Sequence, residues 1–95
     1  MKEEIEKCKN LSELIMNECE LETLDNLPEI ETLTSLDLTT NKLKGSHIIY
    51  LKKYPQLGLL YLIENYIETT NVFNHLKDLK YLYKLDLTDN PVTRT

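Results

Sequence analysis

The chain has 95 residues, 41% of them apolar, which suits one folded domain and not two. Eleven basic side chains against sixteen acidic ones leave a net charge of −5, which argues against direct nucleic-acid binding and favours basic partners. No run of about 18 apolar residues exists to span a membrane, and the opening MKEEIEKCKN is charged where a secretory signal would be apolar, so the expected compartment is cytosol or nucleus.

In chain order, Ile5, Cys8 and Leu11 mark a short amphipathic helix over about residues 2–9, expected to cover the N-terminal end of the domain core. Four segments then share one 11-residue frame: LSELIMNECEL from Leu11, LTSLDLTTNKL from Leu33, LGLLYLIENYI from Leu57 and LYKLDLTDNPV from Leu82. Frame positions 1, 4, 6 and 11 are apolar in all four, and position 9 is Asn or Cys. The starts lie 22, 24 and 25 residues apart, the period of leucine-rich repeats. Alternation in Leu36-Asp37-Leu38 and its equivalents makes a short strand with leucines inward. Stacked repeats then give an α/β leucine-rich-repeat solenoid, with a short parallel concave sheet and 3₁₀ or α return segments on the convex side.

Cys19, Asn41, Asn65 and Asn90 hold position 9, where the chain leaves its strand. A buried amide there satisfies backbone groups that have lost their ladder partners, and Cys19 offers only a weak thiol donor in its place. In the first return, Leu24, Leu27, Ile30 and Leu33 recur every three residues, a 3₁₀-like spacing. The second reads as a short helix from Gly45 to Pro55, with Gly45 allowing a sharp turn, Ser46 as N-cap and Pro55 as terminator. In the third, Asn71 is expected to cap a helix that buries Phe73, Leu76 and Leu79. Thr95 comes so soon after the fourth frame that Leu82, Leu85 and Leu87 are expected to be partly open, with a missing C-terminal cap and possible self-association through that end.

The frame also sorts the outward side chains of the sheet. Between the central leucines stand Ile15, Asp37, Tyr61 and Asp86; ahead of them lie Glu13, Ser35, Leu59 and Lys84. Beyond them come Asn17, Thr39, Ile63 and Thr88, flanked by Glu18, Thr40, Glu64 and Asp89. Counting Glu20 as well, seven acids on this face oppose only Lys42 and Lys84, a balance of −5 equal to the net charge of the whole chain. Leu59, Tyr61 and Ile63 add an exposed apolar strip, and the combination suits a basic, partly apolar protein partner. The expected partner-binding residues are thus Glu13, Ile15, Glu18, Asp37, Thr39, Leu59, Tyr61, Ile63, Glu64, Lys84, Asp86 and Asp89.

Catalytic chemistry has no support in the pattern. Ser46 and His47 lack a placed acid for a triad, and two glycines make no phosphate-binding loop. Asp37 and Asp86 fall two strands apart, roughly 10 Å, beyond a retaining carboxylate pair. Cys8 and Cys19, with His47 and His75, have no zinc-site spacing and read as reduced thiols and surface or capping imidazoles. Neither metal nor cofactor is expected.

The stretch from Leu36 to Thr93 resembles the repeat domain of the acidic leucine-rich nuclear phosphoprotein 32 family. The likeness lies in the Asn41-x-Leu43 turn before Gly45, in Tyr54-Pro55-x-Leu57, and in Leu76-Lys77-x-Leu79-Lys80-x-Leu82. It implies nuclear and cytoplasmic residence, inhibition of protein phosphatase 2A and histone binding; the family's acidic tail is absent from this sequence. The ending Leu87-x-x-Asn90-Pro91-Val92-Thr93 also resembles a spliceosomal leucine-rich scaffold that holds an RNA-binding partner. The 22-residue first repeat is similar to phosphatase-1 regulatory leucine-rich proteins.

Overall fold

A computed structural model of the chain describes residues 10–68 and 72–93. The expected N-terminal helix at 2–9, Cys8 and the Asn71 cap lie outside them.

Four three-residue strands, β1 (Glu13–Ile15), β2 (Ser35–Asp37), β3 (Leu59–Tyr61) and β4 (Lys84–Asp86), form one parallel sheet in sequence order. Their register matches the frame without a slip: Leu14, Leu36, Leu60 and Leu85 are paired along one row. A slip of one residue would turn every one of these leucines to solvent, so burial pins the register. Leu36, Leu38, Leu60 and Leu62, in the two central repeats, are fully buried, while Leu14, Leu82 and Leu85 in the outer repeats are half-buried and Leu87 is buried.

Each strand ends in a tight turn whose residue just before position 9 is left-handed: Glu18 (φ 54°), Thr40 (φ 58°), Glu64 (φ 54°) and Asp89 (φ 62°). None of the four is glycine, and neither Gly45 nor Gly58 has a positive φ, so the turn expected at Gly45 does not draw on glycine's left-handed freedom. Thr40 is the most strained, because a β-branched side chain fits this region poorly. Thr40→Gly is expected to stabilise the domain by about 0.5–1 kcal/mol, relief of strain outweighing the looser unfolded chain, seen as a higher urea midpoint at unchanged slope. A lower midpoint would show that Thr40 is not strained.

The turns are stitched by the asparagines, which are 0–6% exposed. Asn41 Nδ2 donates to Met16 O (3.0 Å) and Leu38 O (2.9 Å), Asn65 Nδ2 to Leu38 O (2.9 Å) and Leu62 O (3.1 Å), and Asn90 Nδ2 to Leu62 O (2.7 Å) and Leu87 O (3.0 Å). Each amide thus bridges its own repeat and the preceding one. Their Oδ1 atoms accept from the backbone in the preceding repeat: Cys19 and Leu21 N–H for Asn41, Leu43 N–H for Asn65, Ile67 N–H for Asn90. Cys19, unlike the asparagines, is exposed, and its Sγ donates to Asn17 O, 3.3 Å away in its own repeat.

The return segments differ in detail from expectation. The first buries Leu24, Leu27, Ile30 and Leu33 as the spacing requires, but as separate turns, with Leu27 N–H to Leu24 O and Leu33 N–H to Ile30 O, not as a helix. Pro28 between them has no N–H to continue a helical run. The second is a nine-residue 3₁₀ helix, η1 (Gly45–Lys53), in which Gly45, Ile48 and Leu51 are buried, with Tyr54 buried just beyond it. A buried residue every third position is what a three-residue turn demands. Its N-cap is Lys44, not Ser46: the His47 ring folds back so that Nδ1 accepts the Lys44 N–H at 3.1 Å, and the exposed Ser46 plays no capping part.

The third return contains α1 (Val72–Leu76), packed on η1, and a short 3₁₀ turn, η2 (Pro91–Thr93), follows β4. Val72, Leu76 and Leu79 face inward, whereas Phe73, expected in the core, is 48% exposed. Within α1 the inward residues are Val72 and its i+4 neighbour Leu76, which leaves Phe73 about 100° round the helix.

Tyr54 is 1% exposed and its hydroxyl has no hydrogen-bond partner among the described residues; burial pushes its pKa from 10.0 to about 12. Because the folded pKa is the higher, the unfolded chain ionises first, and stability falls as pH rises from about 10 towards 12. Tyr54→Phe is expected to remove that alkaline loss and add about 1 kcal/mol at neutral pH by deleting an unsatisfied hydroxyl. An alkaline unfolding midpoint that Tyr54→Phe leaves in place would refute the assignment.

Candidate functional site: the concave sheet face

The sheet register brings the outward side chains into two rows, Glu13–Ser35–Leu59–Lys84 and Ile15–Asp37–Tyr61–Asp86. Thr39, Ile63 and Thr88 continue the face past the strands, and Glu18, Glu64 and Asp89 rim it on the left-handed turns. Leu59, Tyr61 and Ile63 are half-buried, not exposed as expected, because β3 has a strand on either side to cover them. On the edge strand β1, Ile15 is 58% exposed.

Two of the carboxylates are held by their own repeats. Asp37 Oδ1 accepts both the Thr39 N–H (3.1 Å) and the Thr39 hydroxyl (2.6 Å), and Asn17 Nδ2 reaches its Oδ2 at 3.5 Å. Asp86 Oδ1 is gripped in the same way by Thr88, N–H at 3.0 Å and hydroxyl at 2.5 Å. These Thr88 bonds, side chain first, hold the Asp86 carboxyl below its ordinary range, with Lys84 adding a smaller push. Sequence spacing reveals the Asp-x-Thr pairs only in hindsight: a strand residue and its neighbour two positions on share a face, close enough to bond.

Between the two aspartates lies Tyr61, aligned with both. The ammonium of Lys84 sits over the Tyr61 ring, 5.4 Å from its centroid. The Tyr61 expected as an open anchor is therefore occupied by a lysine of the next strand, one diagonal step away in the register. Frame position alone gives the face of each residue but not this contact.

The hollows of the face lie on its rim. A groove of about 510 Å³ runs among Glu18, Cys19, Glu20, Thr40, Asn41, Lys42 and Tyr66, and a smaller one of about 200 Å³ continues past Glu64, Asn65, Asp89 and Pro91. Tyr66, 52% exposed, lies between them. It follows the ladder asparagine, at the frame position that Glu20 and Lys42 hold in the first two repeats. Among the described residues no group of three or more His, Cys, Asp and Glu is placed to hold a metal ion, and no helix is long and apolar enough to cross a membrane.

A short parallel sheet, an asparagine ladder and 3₁₀ returns together define a leucine-rich-repeat protein. A chain of the crystal structure of the Drosophila melanogaster SNF/U2A' complex superposes on 94% of this chain, and on 51% of its own length, with a TM-score of 0.78 at 24% identity, a likeness of fold. No protein-family model matches the sequence. The repeat domain is homologous to those of acidic leucine-rich nuclear phosphoprotein 32-related proteins. One from Plasmodium falciparum is 35% identical over 92 residues, 95% of this chain, and one from Caenorhabditis elegans is 37% identical over 84 residues, 86% of it. A protein of Tetrahymena thermophila that is named as a histone is 36% identical over all 95 residues. The chain spans 33%, 36% and 24% of the lengths of these three relatives.

Proposed function

We propose that this domain is a nuclear, and in part cytoplasmic, protein-interaction module whose acidic concave face takes a basic protein partner, core histones in the first place and a subunit of protein phosphatase 2A in the second. The observation that carries the reading is the pair of anchored carboxylates, Asp37 and Asp86, set on either side of Tyr61 in one row. Carboxylates already fixed by Thr39 and Thr88 lose little freedom on pairing with a cation, so their charge steers and holds a basic surface at low entropic cost. Kinship with nuclear phosphoproteins, and with a protein that bears a histone name, supports the same choice. The alternatives, a scaffold for an RNA-binding partner or a phosphatase-1 regulator, draw on a likeness of fold or of one repeat alone.

Binding of purified core histones tests the reading. Asp37→Lys is expected to weaken it at least about tenfold and Tyr61→Ala severalfold, with the wild-type affinity falling as salt rises. Affinities untouched by both substitutions would exclude this face.

A further inference from the structure

We propose that the Tyr61 ring and the Asp86 carboxylate form a receptor site for an arginine side chain of the partner protein, and that Lys84 fills this site in the unbound domain and must be displaced. The proposal rests on the concave-face reading and names its central contact. Three observations lead to it. The Lys84 ammonium lies 5.4 Å from the Tyr61 centroid, so the site holds a cation already. Tyr61 pairs with Asp86 across β3 and β4, which puts a π face and a carboxylate side by side. Thr88 engages only Oδ1 of Asp86, and no hydrogen bond among the described residues engages Oδ2, which remains for an incoming donor.

Lys84 is itself exposed, so its hold on the ring is weak and reversible. A guanidinium is better suited to the cradle than an ammonium. It is flatter and less strongly hydrated, it stacks on the tyrosine, and its fork of N–H donors can reach the carboxylate at the same time. Displacement frees Lys84 to swing into water, and the contact it gave up is the penalty every partner meets. Lys84 is in this sense a specificity-determining residue: a partner that offers only lysine exchanges one ammonium for another and gains little, whereas an arginine gains the second contact.

The test measures binding of a fluorescein-labelled nona-arginine peptide, with nona-lysine for comparison, to the whole chain and its variants. Lys84→Gln is expected to tighten nona-arginine binding about two- to fivefold more than Lys42→Gln, which removes the same charge from the rim. That excess should vanish in a Tyr61→Leu background and be smaller for nona-lysine. Equal gains from the two lysine variants, or an excess that survives Tyr61→Leu, would reduce Lys84 to its charge and overturn the proposal. Asp37→Lys separates the two levels: peptide binding that it leaves intact sinks the concave-face reading itself, whereas binding that it weakens, with no special gain from Lys84→Gln, sinks only the arginine site. In the wild-type domain, the upfield ring-current shift of the Lys84 methylene protons should disappear as the peptide is added, and its persistence at saturation would show that Lys84 is not displaced.

Discussion

Replacing Asn65 with alanine is expected to lower the stability of the domain by about 3 kcal/mol. Asn65 is 3% exposed and sits in the middle of the ladder that runs through Asn41, Leu38 O, Asn65, Leu62 O and Asn90. The loss can be apportioned. Leu38 O keeps its bond from Asn41 and Leu62 O keeps its bond from Asn90, so neither carbonyl is stranded. The Leu43 N–H, whose acceptor is Asn65 Oδ1, is left buried without a partner, at about 1–3 kcal/mol, and a small cavity adds to it. Asn65→Asp should be at least as damaging, because it keeps the acceptor for Leu43 but turns an oxygen towards the two carbonyls that the amide used to feed. Its cost should grow as pH rises and the carboxyl ionises. Urea unfolding of both variants decides the matter. A loss below about 1 kcal/mol for Asn65→Ala would mean that water enters the turn and replaces the amide.

Lys53→Met is the second large effect, expected to cost about 2 kcal/mol. The Lys53 ammonium, at the end of η1, donates to three backbone carbonyls of the first return, Leu24 O (3.1 Å), Asp25 O (2.9 Å) and Leu27 O (2.5 Å), and lies 5.7 Å from the centroid of the Tyr50 ring. The first return has no helix of its own, so these carbonyls have few partners to choose from, and the lysine gathers them to one point. Charge-assisted bonds of this kind contribute more than neutral ones, but Lys53 is half-buried and water can recover part of the loss. Methionine keeps the apolar stem and removes only the charge. Arginine is not expected to rescue, since a planar fork cannot aim three donors into so small a nest. Hydrogen exchange gives the sharper readout: Leu27 and Leu33 amides, which close the two turns of this segment, should lose protection in Lys53→Met ahead of the strands. Uniform loss across the whole domain, or none, would contradict a local clamp.

How far the sequence reaches can be seen by comparing Asn65 with Lys53. Asn65 is legible because its phase is locked to the leucines, and a residue that recurs at one phase of a repeat has one environment. Lys53 carries no such mark. It lies in a stretch that no other repeat copies, and its partners are 26 to 29 residues away in the chain. The same division runs through the face of the sheet. Frame positions placed Asp37, Tyr61 and Asp86 on one row, and the pairing of the strands agrees. The threonine grips and the Lys84–Tyr61 contact depend on side-chain reach between neighbours, which spacing does not encode.

Taken alone, the sequence determined the fold. A frame with apolar residues at fixed positions and Asn or Cys at another admits only stacked parallel strands, because any other register would put leucines in water. It determined as well which side chains point out of that sheet and that their charge is acidic. Tertiary structure decided what repetition does not specify. In the short helix α1, the core selected Val72 over Phe73 by rotational phase. At the start of η1 the His47 ring, and not the Ser46 hydroxyl, took the free backbone N–H. On the concave face, a lysine from the neighbouring strand settled on the tyrosine ring. Each of these outcomes depends on how one return segment or strand lies against the next, a distance of a few ångströms that the chain fixes only once it has folded.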